Sequence, residues 1–103
     1  MPSLEVTFHG LDPSEALTSR AKKHLERLYH FDERIGRCRV AVERRNHRHR
    51  HGERTRIAIE VRRPGGDLVI AHEGDEPDAY VALGNAFDVM RRRLMKLKEQ
   101  RHR

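Results

Sequence analysis

Residues 78–103 read DAYVALGNAFDVMRRRLMKLKEQRHR, and the spacing of their apolar side chains decides the fold. Tyr80, Leu83, Phe87, Met90, Leu94 and Leu97 recur at steps of three and four, the period that places side chains on one stripe of an α-helix. At roughly 100° per residue they share an arc of about 100°, with Arg92, Lys96 and Arg103 near the opposite pole. The helix has one face for burial and a cationic ridge facing outward. Residues 79–103 hold seven Lys/Arg against Asp88 and Glu99, a net charge of +5. Glu73, Asp75, Glu76 and Asp78 stand where the positive end of the helix dipole is expected, and the cations fill its negative end. Acid and base are segregated along the helix rather than interleaved, which favours polyanion binding over a merely solvated face.

A helix of this kind needs an apolar surface to cover, and the upstream sequence supplies one. Leu4, Val6 and Phe8 alternate with polar residues, as do Cys38, Val40 and Val42, and then Thr55, Ile57, Ile59 and Val61; these are half-buried strands. A last strand is expected over Leu68 to Glu73, after the turn Arg63-Pro64-Gly65-Gly66-Asp67. Between the first two strands, Asp12-Pro13-Ser14-Glu15 reads as a helix start, with Asp12 as N-cap and Pro13 at the first helical position. Leu17, Ala21, Leu25 and Leu28 continue that helix, and a loop is expected from His30 to Gly36. Arg20, Lys23 and Arg27 line one flank as a second basic ridge.

The element order is thus β-α-β-β-β-α. A strand, helix and strand in succession suggest a right-handed crossover between parallel neighbours, and the next two connections are hairpins. The expected architecture is α+β: a two-layer sandwich with two helices packed on one face of a four-stranded mixed sheet. Its other face would carry Arg37, Arg39, Arg54, Arg56 and Arg62 beside Glu43 and Glu60, too charged for burial.

The 103 residues suit a single domain over 1–103, and a net charge of +6 with 37% charged residues points to a polyanionic partner. No apolar run approaches the ~20 residues of a membrane span and the N-terminus has no signal-peptide pattern, so a cytoplasmic protein without a membrane partner is expected. Cys38, the lone cysteine, reads as a small core residue. No nucleophile elbow, HExxH, phosphate loop or CxxC is present, so neither an enzyme, a cofactor nor a small-molecule substrate is expected.

Two constellations remain. His47, His49 and His51 alternate at a hairpin tip and in extended chain would point the same way, as ligands of a soft divalent ion would. No cysteine is near, a closed structural site needs four ligands, and Arg48 and Arg50 oppose a dication. The tip therefore reads first as a loose basic RNA contact, with metal handling as the alternative. The two helical ridges are the stronger feature. With no aromatic on the exposed sheet face to stack bases, recognition would run through phosphate contacts from Arg20, Lys23, Arg27, Arg92 and Lys96. A general double-stranded-RNA-binding domain, which has a similar element order, is the alternative in the same class.

The residues also resemble a known family. Asp78-Ala-Tyr80-Val-Ala82-Leu83, Ala86-Phe87-Asp88, Met90-Arg91-Arg92-Arg93-Leu94 and Lys96-Leu97-Lys98 look like the second-helix signature of the ribosome hibernation promoting factors, also called ribosome-associated inhibitor A or sigma-54 modulation proteins. Asp12-Pro-Ser-Glu-Ala16-Leu17, Lys23-His-Leu25-Glu26-Arg27-Leu28 and Arg63-Pro64-Gly65-Gly66-Asp67-Leu68 extend the likeness over nearly the whole chain. The resemblance implies the β-α-β-β-β-α sandwich and a stress-related protein that inhibits translation from the mRNA/tRNA channel of the small ribosomal subunit. It implies rRNA contacts at Lys22, Lys23, Arg92 and Lys96; with the flanking cations, the expected set is Arg20, Lys22, Lys23, Arg27, Arg91, Arg92, Arg93 and Lys96. Gly84, Val89 and Arg93 depart from the family pattern and suggest a rotated contact set. Ending at Arg103, the chain looks like a short form or the N-terminal part of a longer one.

Overall fold

The computed structural model of the protein describes residues 1–46, 53–66 and 68–101. Its elements are β1 (Ser3–His9), α1 (Glu15–Phe31), β2 (Arg37–Asn46), β3 (Glu53–Arg62), β4 (Leu68–Glu76) and α2 (Ala79–Arg101), the expected order. The strands lie side by side as β1-β2-β3-β4. β1 runs parallel to β2, with Leu4, Val6 and Phe8 opposite Cys38, Val40 and Val42. β2 pairs antiparallel with β3 and β3 with β4, placing Val40 opposite Ile59 and Ile59 opposite Ala71. Because side chains alternate across a strand, this register puts the apolar set of all four strands on one face.

Both helices cover that face, α2 over β4 and β3 and α1 beside it. The core joins Leu17, Ala21, Leu25 and Leu28 of α1 to Ala82, Leu83, Ala86, Phe87, Met90 and Leu94 of α2, over Val40, Val42, Ile57, Ile59 and Val61. The stripe on α2 differs from the sequence expectation at its N-terminal end. Ala79, Ala82 and Ala86 are buried whereas Tyr80 is 40% exposed, its ring beneath the Arg20 guanidinium at 5.4 Å. The alanines let the helix approach the sheet, and the larger ring is left at the rim.

The boundaries also shift. Ser14, not Asp12, caps α1: its backbone is extended, and its hydroxyl accepts from Leu17 N at 3.1 Å. The Ser14 carbonyl also accepts the first helical bond, from Thr18 N at 3.0 Å, so the helix starts there and not at Asp12. The helix then continues through Phe31, past the predicted loop start at His30. β4 runs to Glu76, so Glu73, Asp75 and Glu76 belong to a strand. The helix entrance is held by Asp78, whose carboxylate accepts from Tyr80 N at 2.8 Å.

Gly10, after β1, has a φ of 79°, and a Cβ there would lie 2.3 Å from the Arg44 carbonyl oxygen. Backbone cannot yield as a flexible side chain would, and the conformation itself disfavours an L-residue. Gly10→Ala is expected to cost about 2–3 kcal/mol of stability in urea unfolding, from strain plus displacement of β2. Cys38 is fully buried, and burial pushes its thiol up to about 12. It should stay unreactive toward a disulfide reagent at pH 8 and react on unfolding.

The opposite sheet face is open, as the charge pattern predicts. Arg37, Arg39, Arg56 and Arg62 are exposed, with Glu5 3.7 and 3.5 Å from the first two and Glu43 2.7 Å from Arg45. Half-solvated pairs like these contribute little to stability.

Candidate nucleic-acid interface

The helical layer carries the cations, and helix geometry sorts them. On α1, Arg20, Lys23 and Arg27 follow each other at three and four residues, all exposed. Arg20 and Arg27 turn toward α2, the first over Tyr80 and the second lining a cleft of about 410 Å³ between the helices. Lys22 lies on the other flank, beside Met1, Pro2 and Leu4. It is exposed but does not share the ridge.

On α2, Arg91 enters the same cleft and stacks over the Phe31 ring at 5.2 Å, a cation–π arrangement that holds the guanidinium in place. Arg92 and Lys96, one turn apart and exposed, occupy the outward pole. Arg93 turns the other way and donates to the Ile70 carbonyl on β4. That bond ties up an acceptor of the sheet and directs the arginine away from α1. Of the eight expected residues, Arg20, Arg27 and Arg91 lie at the seam between the helices, Lys23, Arg92 and Lys96 are exposed, and Lys22 and Arg93 turn to other flanks. Replacing Arg93 with alanine should change RNA affinity less than about twofold, against about tenfold for Arg92→Ala, in a filter-binding titration at 0.1 M salt.

Sequence reasoning missed the cleft lining of His24, Gly84 and Asp88, and the cation Lys98 against Phe31. Lys98 lies 4.6 Å over the Phe31 ring and donates to the Phe31 carbonyl at 2.8 Å; its seven-residue spacing from Arg91 was the available signal. His24 stacks on Phe87 with ring centroids 5.1 Å apart and planes at 15°. Burial, reinforced by Arg27 and Arg20 and opposed by Asp88, holds its imidazole below the ordinary value. Gly84 adjoins it: a Cβ there would meet His24 Cε1 at 3.9 Å, and glycine leaves that space open. Asp88 lines the same cleft.

Among the described residues no cluster of three potential metal ligands is found, and no helix is long and apolar enough to cross a membrane. His47, His49 and His51 lie outside the described residues.

A mixed four-stranded sheet covered on one face by two helices that expose Arg20, Lys23, Arg27, Arg91, Arg92 and Lys96 defines a small α+β protein with a cationic helical layer. Residues 4–102 match the family described as sigma 54 modulation protein / S30EA ribosomal protein, and the chain belongs to that family. It is similar to a ribosome hibernation promotion factor of Deinococcus radiodurans, 28% identical over 98 residues, which make up 95% of this chain and 50% of that protein. The chain therefore spans about half the length of that curated relative. Two solved structures share the fold. A ribosomal subunit interface protein from Coxiella burnetii has a TM-score of 0.78 at 20% identity, over 94% of this chain and 98% of that one. The N-terminal domain of Thermus thermophilus Protein Y has a TM-score of 0.76 at 23% identity, over 94% and 99%.

Proposed function

We propose that this protein is a ribosome-associated hibernation factor that occupies the mRNA/tRNA channel of the small subunit through contacts to 16S rRNA, and so inhibits translation without catalysing a reaction. The observation that carries this reading is the set of exposed cations along α1 and α2 on a chain of the S30EA family. Names of relatives point the same way, one a hibernation promotion factor and one a subunit interface protein. Physically, side chains that end in solvent along two neighbouring helices can each neutralise a phosphate and release its counterion, so affinity should be large at low salt and fall steeply as salt rises. Such contacts follow the shape of folded RNA rather than its sequence, and steric occupancy of a channel requires no more.

The experiment is co-sedimentation of the purified protein with ribosomes and separated subunits in sucrose gradients at two salt concentrations, with tRNA, mRNA or naked duplex RNA as competitor. Small-subunit binding that tRNA or mRNA displaces, and that duplex RNA does not, is the expected result. Equal competition by duplex RNA would point instead to a general double-stranded-RNA binder. Failure to sediment at either salt would end the ribosomal reading.

A further inference from the structure

We propose that the cleft between α1 and α2 accepts a single unstacked RNA base, preferentially guanine, against His24 and Gly84 with its Watson–Crick edge on Asp88. This inference rests on the reading that the helical face meets rRNA, and it adds base recognition to a surface otherwise suited only to phosphate.

Four observations carry it. The cleft, at about 410 Å³, falls in the size range of small-ligand sites. Its lining includes the His24 and Phe31 rings beside the buried Phe87 and Leu28, and RNA bases drawn out of a helix are commonly received by stacking on such rings and on guanidinium planes. Gly84 omits the side chain that would fill the space beside the imidazole. Arg27 and Arg91 line the cleft and supply cations for the phosphates flanking an inserted base.

Asp88 sets the preference. A carboxylate facing a basic groove opposes binding of a phosphate chain, and the charge of Asp88 acts on the His24 imidazole across the cleft, against the effect of Arg27 and Arg20. Its two oxygens offer paired acceptors. Guanine presents two neighbouring donors, N1–H and the exocyclic amine, that match them; adenine and cytosine present one amine beside a ring-nitrogen acceptor. Uracil flanks its single N–H with carbonyl oxygens, which a carboxylate repels. An acidic peptide would satisfy the arginines but bring carboxylate against carboxylate at Asp88, so RNA is the better occupant.

The test uses the full chain and the pentaribonucleotides UUGUU, UUAUU, UUCUU and UUUUU, which carry equal charge, in titrations read from the His24 imidazole and Gly84 amide NMR signals. UUGUU is expected to bind about tenfold more tightly than UUUUU. Asp88→Ala, at an exposed helix position, should bring that ratio to about one while leaving UUUUU binding equal or tighter. Gly84→Leu, which fills the space beside the ring, should abolish the His24 response to UUGUU. Equal wild-type affinities, or a guanine preference that survives Asp88→Ala, would overturn the proposal. Sedimentation of the same proteins with small subunits separates the two readings. Subunit binding without base preference removes the cleft site alone, whereas base preference without subunit binding keeps the site and removes the ribosomal assignment.

Discussion

Exchanging both Arg92 and Lys96 for glutamate is expected to lower affinity for the small subunit by about two orders of magnitude at 0.1 M salt, enough to clear the protein from the ribosomal fractions of a gradient. The magnitude follows from counterion release. Each lost phosphate contact changes the slope of log K against log salt by about 0.9, so two contacts are worth close to a hundredfold at that concentration before the repulsion of the new carboxylates is added. Stability should barely change, because both side chains are exposed on one face of α2, where substitutions usually shift it by about 0.5 kcal/mol or less. Arg93→Ala serves as the internal control, since its guanidinium already donates to the Ile70 carbonyl. Measured from 0.05 to 0.3 M salt, the double variant should also show a slope shallower by about two. Wild-type co-sedimentation by the double variant would take the α2 ridge out of the interface.

The contrast between Arg92 and Arg93 marks how far the sequence could be read. Helical period alone places Arg92 and Lys96 outward, and both are exposed; it places Arg93 a further 100° round, and the destination of that side chain depends on the β4 edge being within reach. Strand alternation gave the register face correctly, since every apolar position named on β2 and β3 is buried. The stripe on α2 was misjudged where small residues carry it, because alanine adds little to a hydrophobic pattern yet fits closest to a sheet. His24 could be read only as an isolated histidine. Its partner Phe87 arrives from the other helix, and no local periodicity encodes which two faces of separate helices will meet.

Asp32 and Arg63 are the extreme case of such non-local pairing, and they support the second large expectation. They are 31 residues apart, Arg63 Nη1 donates to Asp32 Oδ2 at 2.8 Å, and their side chains are only 2% and 1% exposed. Asp32 follows the last residue of α1, where its backbone N–H donates to the Leu28 carbonyl at 2.9 Å, and its second carboxylate oxygen accepts from Arg34 N at 3.0 Å. Arg63 follows β3, so one ion pair fixes the exit of α1 against the end of the strand beside β2. Removing one member strands the other charge away from water. Asp32→Ala should therefore cost about 3–5 kcal/mol in urea unfolding, a large part of the ~5–15 kcal/mol typical of a whole domain. Pairing it with Arg63→Met removes the stranded guanidinium, and the double variant should be more stable than Asp32→Ala alone, since desolvation offsets much of the attraction within a buried pair. A loss below about 1 kcal/mol for Asp32→Ala would mean that water reaches the pair as it reaches the surface pairs of the open sheet face, and that the α1 exit is held by the packing of Leu28 and Ile35 instead.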